Sequence, residues 1–181
     1  MPRRNTRPKE YSRTFHVYNR ARNRGNAFVD DNDRDYFCDL LHRRLLSDRF
    51  LNRVTLLSAC PLTTHYHQIL RELQPGAMTE LMHAVLGPYV RRFNARHGRR
   101  GPLFAGEFRR KPITSQRQLR WTIAYVHDNH PSGLAYRYST HRYFLEEAGR
   151  APQWLDVDSG LAPFGGIEGY LRDLESRRDV I

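Results

Sequence analysis

Cysteine is nearly missing from this chain. Two thiols, Cys38 and Cys60, occur in 181 residues. One pair cannot staple a small disulfide scaffold, and a four-thiolate zinc centre cannot be built, so reduced thiols in a cytoplasmic protein are expected. Long apolar runs are lacking too. Stretches such as residues 54–60 fall far short of the ~20 residues a bilayer-crossing helix needs, and mean hydropathy is −0.74. The basic amino-terminus is not followed by an apolar segment, which argues against a cleaved secretory leader. The sequence has no glycine-rich phosphate loop, no G-x-S-x-G serine elbow and no paired-carboxylate motif, so those catalytic classes are excluded. A two-motif H-x-[ST] phosphoesterase is excluded as well, because only His130-Pro131-Ser132 fits.

Lysine is scarce while positive charge is not. Lys9 and Lys111 are the two lysines, and the other 28 of the 30 basic residues are arginine, set against 19 acidic residues for a formal charge of +11. Codon usage in a GC-rich genome favours arginine. Phosphate binding favours it too, because a guanidinium offers a planar fork of donors. Position discriminates better than kind. Residues 1–120 hold 24 basic and 10 acidic residues, residues 121–181 hold 6 and 9, and the segment 89–120 alone holds 10 basic residues against the single acid Glu107. Such an excess reads as an electrostatic footprint for a polyanion.

Residues 1–12 form a basic, proline-containing arm. Alternation from Thr14 to Tyr18 predicts a strand with Phe15 and Val17 on one face and His16 and Tyr18 on the other. A helix capped by Asp30 or Asp31 follows, with Phe37, Leu40, Leu41, Leu45 and Leu46 at core spacing, ending near Asp48. Residues 54–60 and 65–70 read as a strand pair joined by a tight turn. Thr79 is the expected cap of a helix carrying Met82, Val85, Leu86, Tyr89 and Phe93, interrupted at Gly87-Pro88 and closed by Gly98. Residues 103–113 hold a fourth strand. Ser115 caps a helix running to about Asn129, and a short helix lies near residues 167–177. The first six elements spell βαββαβ, the order of an α+β ferredoxin-like sandwich, to which a further helix and a carboxy-terminal extension are added.

Three groups of residues could carry chemistry. His65-Tyr66-His67 places two imidazoles on one strand face, about 6.6 Å apart along the chain, where they could converge on a divalent ion or be ordinary strand histidines. Tyr125 and Asn129 lie about 40° apart on one helix face and about 100° from the stripe of Leu119, Ile123 and Val126. The phenol could act as a nucleophile and the amide as a third, oxygen ligand, or the ring could pack on a neighbouring strand. Arg91, Arg92, Arg96, Arg99, Arg100, Arg109, Arg110 and Lys111, interleaved with Tyr89, Phe93, Phe104 and Phe108, suit single-stranded nucleic acid, or form a solvated face over core aromatics.

Five segments in one order resemble a known family: residues 15–20 (FHVYNR), 65–67 (HYH), 91–98 (RRFNARHG), 103–108 (LFAGEF) and 125–129 (YVHDN). The order resembles the single-tyrosine HUH transposases, and most closely their REP-associated tyrosine transposase branch. The resemblance covers residues 13–144, and residues 154–165 resemble that branch's extension at 145–181. It implies a metal-dependent, site-specific endonuclease and strand transferase acting on single-stranded or hairpin DNA through a 5′-phosphotyrosine. Tyr125 matches the nucleophile, and His65, His67 and Asn129 match the site for Mg²⁺ or Mn²⁺. Arg20 and the basic strip above would contact DNA. A nucleoid-associated monomer or homodimer is implied. A descendant of the same fold that grips hairpin DNA without cutting it, or binds RNA, is the alternative. The chain departs from the family pattern at Leu62-Thr63-Thr64 before the H-x-H, at Glu107, and at His130, inserted between Asn129 and Pro131.

Overall fold

The computed structural model describes residues 13–145 and 151–178, so the basic arm expected at 1–12 lies outside the described residues. Strands β1 (Arg13–Arg20), β2 (Val54–Pro61), β3 (His65–Glu72) and β4 (Arg109–Ile113) form one sheet in the order β2-β3-β1-β4. Every pairing is antiparallel. This is the order a βαββαβ chain adopts when each helical crossover skips one strand, so the expected ferredoxin-like sandwich is the one that forms.

The sheet has an apolar face and a polar face. β1 buries Phe15 and Val17 and leaves His16 and Tyr18 half-buried on the other side. Helices α1 (Asp31–Leu46) and α2 (Ala77–Arg96) cover the apolar face, where Phe37 meets Tyr66 at 5.3 Å and Tyr89 at 5.2 Å between ring centres. The Asp30 side chain caps α1 by accepting the Asp33 N–H. Leu46, expected in the core, is exposed, because it lies one residue beyond the stripe of Phe37, Leu41 and Leu45 and so rotates off it.

The start of α2 differs from expectation. The helix begins at Ala77 after left-handed Gly76, so Thr79 lies inside it. The buried Glu72 carboxylate takes the Met78 N–H at 3.2 Å and does the work of the expected cap. The helix also runs unbroken through Gly87-Pro88. An internal proline costs a helix about 3 kcal/mol, and burial of Leu81, Met82, Val85, Tyr89 and Phe93 on both sides of it offsets that cost. Gly98, at φ 60°, follows the last turn as a left-handed terminator.

β4 is shorter than the expected 103–113. Phe104 makes only an isolated bridge to Ala21, and the Gly106 carbonyl is taken by the Asn19 side chain at 3.0 Å, so the chain joins the ladder at Arg109. Helix α3 (Gln116–His127) is capped by Ser115, whose hydroxyl accepts the Gln118 N–H. It buries Leu119, Ile123 and Val126 as expected and ends at His127, two residues before the expected Asn129.

After short helices α4 (His141–Phe144) and α5 (Val157–Leu161), helix α6 (Ile167–Arg178) returns to α3. Asp173 accepts from Arg120 of α3 at 2.8 Å and from Arg177 at 2.8 Å. Gly169 is required by the turn that enters α6, because a Cβ there would fall 1.8 Å from the Phe164 carbonyl oxygen. No helix among the described residues is long and apolar enough to cross a membrane.

Beneath this junction His127 is fully buried, its two ring nitrogens bonded to the Tyr170 hydroxyl at 2.7 Å and the Thr140 hydroxyl at 3.0 Å. Burial holds its pKa well below the usual value, with His141 adding to the effect. Burial likewise lowers His42 to about 4. In the unfolded chain both take a proton near pH 6.5, whereas in the folded chain they resist it, so stability is complete above that pH and falls below it. Each group withdraws up to ~1.4 kcal/mol per pH unit over that window. The thermal midpoint followed by circular dichroism should therefore drop steadily between pH 6.5 and 4.5. A flat profile would mean that these rings are solvated.

Candidate active site

The period of two in β1 and β3 sets a row of side chains on the polar face of the sheet. Directly opposed residues share a face, and the register opposes Tyr18 to His67, Arg20 to His65, His16 to Lys111 and Tyr18 to Arg109. The rings of His65 and His67 stand 4.9 Å apart and perpendicular. The expected H-x-H pair therefore does share one site.

A third imidazole joins them. His16 stacks on His67 at 4.9 Å, and its Nε2 is hydrogen-bonded to His67 Nδ1 at 2.8 Å. This leaves His67 Nε2 buried with no hydrogen-bond partner among the described residues. The Thr64 hydroxyl bonds His65 Nδ1 at 2.8 Å, which fixes that ring's orientation in the same way. Burial lowers the pKa of His67 to about 3, helped by the neighbouring His16 and His65. Burial and then Lys111 lower His16 to about 4. His65 is lowered by burial and by Arg20, against a hydrogen bond with Asn129 that works the other way. All three rings are thus held neutral near pH 7, with lone pairs available.

Helix α3 brings Tyr125 to this row. Its ring centre lies 5.3 Å from His67 and 6.1 Å from His16, edge-on to both. Its side of α3 is away from the buried stripe, and the residue is 48% exposed, so the phenol is not swallowed by the core. Asn129, just past the helix end, reaches His65. Tyr125, Asn129, His67, His16 and Lys111 line one cleft of about 750 Å³. The structure therefore brings together the four residues singled out as nucleophile and ligands.

The basic residues are divided between layers. Arg20, Arg109 and Lys111 are on the polar face of the sheet with the imidazoles. Arg110 points to the helical side, 3.3 Å from the Thr79 hydroxyl. Arg91, Arg92 and Arg96 belong to α2, on the opposite layer. Arg92 lies over the Tyr36 ring at 4.2 Å, and Arg96 is committed to Asp33 of α1 and to its cap Asp30. Two members of the site escaped sequence reasoning. His16 carried a signal, since alternation already put it on one face with Tyr18, but the register that sets it diagonally across from His67 is a tertiary fact. Thr64 registered only as a departure from the family pattern.

Two imidazoles and a carboxamide oxygen are a donor set suited to a divalent ion of intermediate hardness. The unpartnered Nε2 of buried His67 fits that use, because a buried ring nitrogen without a partner is otherwise costly. Among the described residues, no group of three or more His, Cys, Asp and Glu side chains is arranged to hold a metal.

No protein-family model and no curated protein matches the chain. Among solved structures, it is similar to a REP-associated tyrosine transposase bound to a REP hairpin, with a TM-score of 0.55 and 14% identity over 87% of this chain and 93% of that one. It also matches a chain from Deinococcus radiodurans R1 provisionally described as a transposase, with a TM-score of 0.46 and 15% identity over 67% of this chain and 93% of that one. At these identities the first likeness establishes a common fold.

The commitment of Arg96 is testable apart from any activity. Its partner Asp33 is buried, and its other contacts are the His97 ring and the Val29 N–H. Arg96→Ala should lower the urea midpoint of unfolding, whereas Arg91→Ala, which removes an exposed guanidinium, should leave it in place. Equal midpoints for the two variants would release Arg96 from this structural role.

Proposed function

We propose that this chain is a metal-dependent, single-stranded DNA endonuclease and strand transferase of the REP-associated tyrosine transposase type, acting on hairpin-forming repeat elements. The observation that carries the reading is the exposed Tyr125 phenol edge-on to His67, in one cleft with His16, Lys111 and Asn129. The common fold with a transposase bound to a REP hairpin supports it.

His65, His67 and Asn129 would hold the ion, Mg²⁺ or Mn²⁺, which when bound would polarise the scissile phosphate. The protein supplies the rest. Desolvation keeps the imidazoles neutral and able to coordinate, while Thr64 and His16 each occupy one nitrogen of a ring and so fix how it points. Arg20, Arg109 and Lys111, on the same sheet face, neutralise the strand as it enters. The Tyr125 oxygen attacks phosphorus and gives up its proton. The bond from phosphorus to the 3′ oxygen breaks, and that oxygen leaves as a 3′-hydroxyl. The 5′-phosphotyrosine keeps the energy of the broken bond, so a second 3′-hydroxyl can reverse the step and join strands without ATP.

Incubating the protein with hairpin-bearing single strands and Mn²⁺ should give a covalent adduct that survives detergent electrophoresis. Tyr125→Phe should abolish the adduct and leave DNA affinity within a few fold. A chelator should also abolish it. Binding with no adduct under any of these conditions would make the chain a DNA-binding protein of this fold and not a nuclease. Thr64→Val frees His65 Nδ1 and should weaken metal affinity, raising the Mn²⁺ needed by roughly ten- to a hundredfold, with Tyr125 unchanged.

A further inference from the structure

Trp121 is out of place for an indole with only a structural task. It is 60% exposed, the most exposed large apolar side chain among the described residues. It stands four residues before Tyr125 on α3, on the same helix face and about 6 Å along the axis. It lines the same cleft as Tyr125, His67 and Lys111. The Arg177 guanidinium lies over the indole at 4.9 Å from the ring centre. Arg177 is itself held by buried Asp173, which also grips Arg120 on α3. The indole is therefore backed by a fixed cation from α6. No other aromatic ring among the described residues packs against it.

Leaving an indole in water forgoes about 25 cal/mol for each Å² of apolar surface it could have buried. A Tyr or Trp ring left open beside basic groups suits one ligand above others, a nucleobase, because every base has a π-face and its phosphate seeks the cation. Here two basic groups, Lys111 and Arg177, line the same cleft as the ring. We infer that Trp121, backed by Arg177, is a stacking platform for the nucleobase adjacent to the phosphate presented to Tyr125. The inference rests on the reading of this cleft as a single-stranded DNA site, and it gives α6 a part in that site. Stacking tolerates any base, so the platform positions the strand and does not read its sequence.

Trp154 is the other tryptophan, remote from the cleft and stacked on His42 at 3.6 Å. In a Trp154→Phe background the fluorescence of Trp121 alone is observed. An oligothymidylate of about 15 nucleotides, a length matching typical single-strand sites, should quench that fluorescence on binding. An abasic strand of equal length and charge should bind more weakly and leave the fluorescence nearly unchanged. Trp121→Ala should weaken oligothymidylate binding by roughly ten- to a hundredfold and remove the preference over the abasic strand. Trp121→Phe should recover most of both, and unchanged circular dichroism in each variant would show that folding is intact. Equal binding of the two strands by the Trp154→Phe protein, or full affinity in Trp121→Ala, would overturn the platform while leaving Tyr125 adduct formation standing. No binding of either strand would overturn the platform, and no binding of a hairpin-bearing strand as well would overturn the DNA reading beneath it.

Discussion

In β1 and β3 each successive side chain turns to the other side of the sheet, and this alternation makes two incompatible surfaces out of eight-residue strands. Val17 and Tyr66 go to the helices and carry the core, while His16 and His67, their immediate neighbours, go to the cleft. A slip of one residue in the pairing would send the imidazoles into the core and the aromatics into water, so burial on the apolar side fixes the register on the polar side. The geometry of the histidine row is a by-product of how tightly Phe37, Tyr66 and Tyr89 pack on the far face.

The row owes its chemical character to its surroundings. Stacked on one another and shielded by α3, the imidazoles lose solvation, and the charged form suffers most. Rings that would be partly protonated in water are neutral here, which a cation needs and a phosphate alone would not favour. The positive charge of this face is left to Arg20, Arg109 and Lys111, which do not share that burial. Neutral imidazoles and charged basic groups are thereby kept on different side chains of one sheet face.

Much of this was legible in the amino-acid order. The βαββαβ succession, the two-residue spacing of His65 and His67, and the helical stripe that turns Tyr125 away from the core are local periodicities, and each survives in the folded chain. What was illegible depended on partners remote in sequence. His16 becomes part of the site only because the register sets it beside His67, 51 residues later. Thr79 lost its capping role to Glu72, a residue of the preceding strand. The basic run that begins at Arg91 looked like one patch because charge was counted along a line, yet the fold deals its members to two layers and ties Arg96 to two aspartates. Amphipathy shows which side of an element is wet, and it does not show which other element arrives there.

The clasp at Asp173 sets an order on biosynthesis. Arg120 emerges 53 residues ahead of the carboxylate that holds it, and Trp121 waits longer still for Arg177. The sheet and its covering helices can assemble while the ribosome is still working, since chains fold from their leading end. The helix bearing the phenol has no such independence, because its outer fastening is α6, which is made after it. A ribosome that stalls before Asp173 thus releases a sandwich whose cleft is not yet braced.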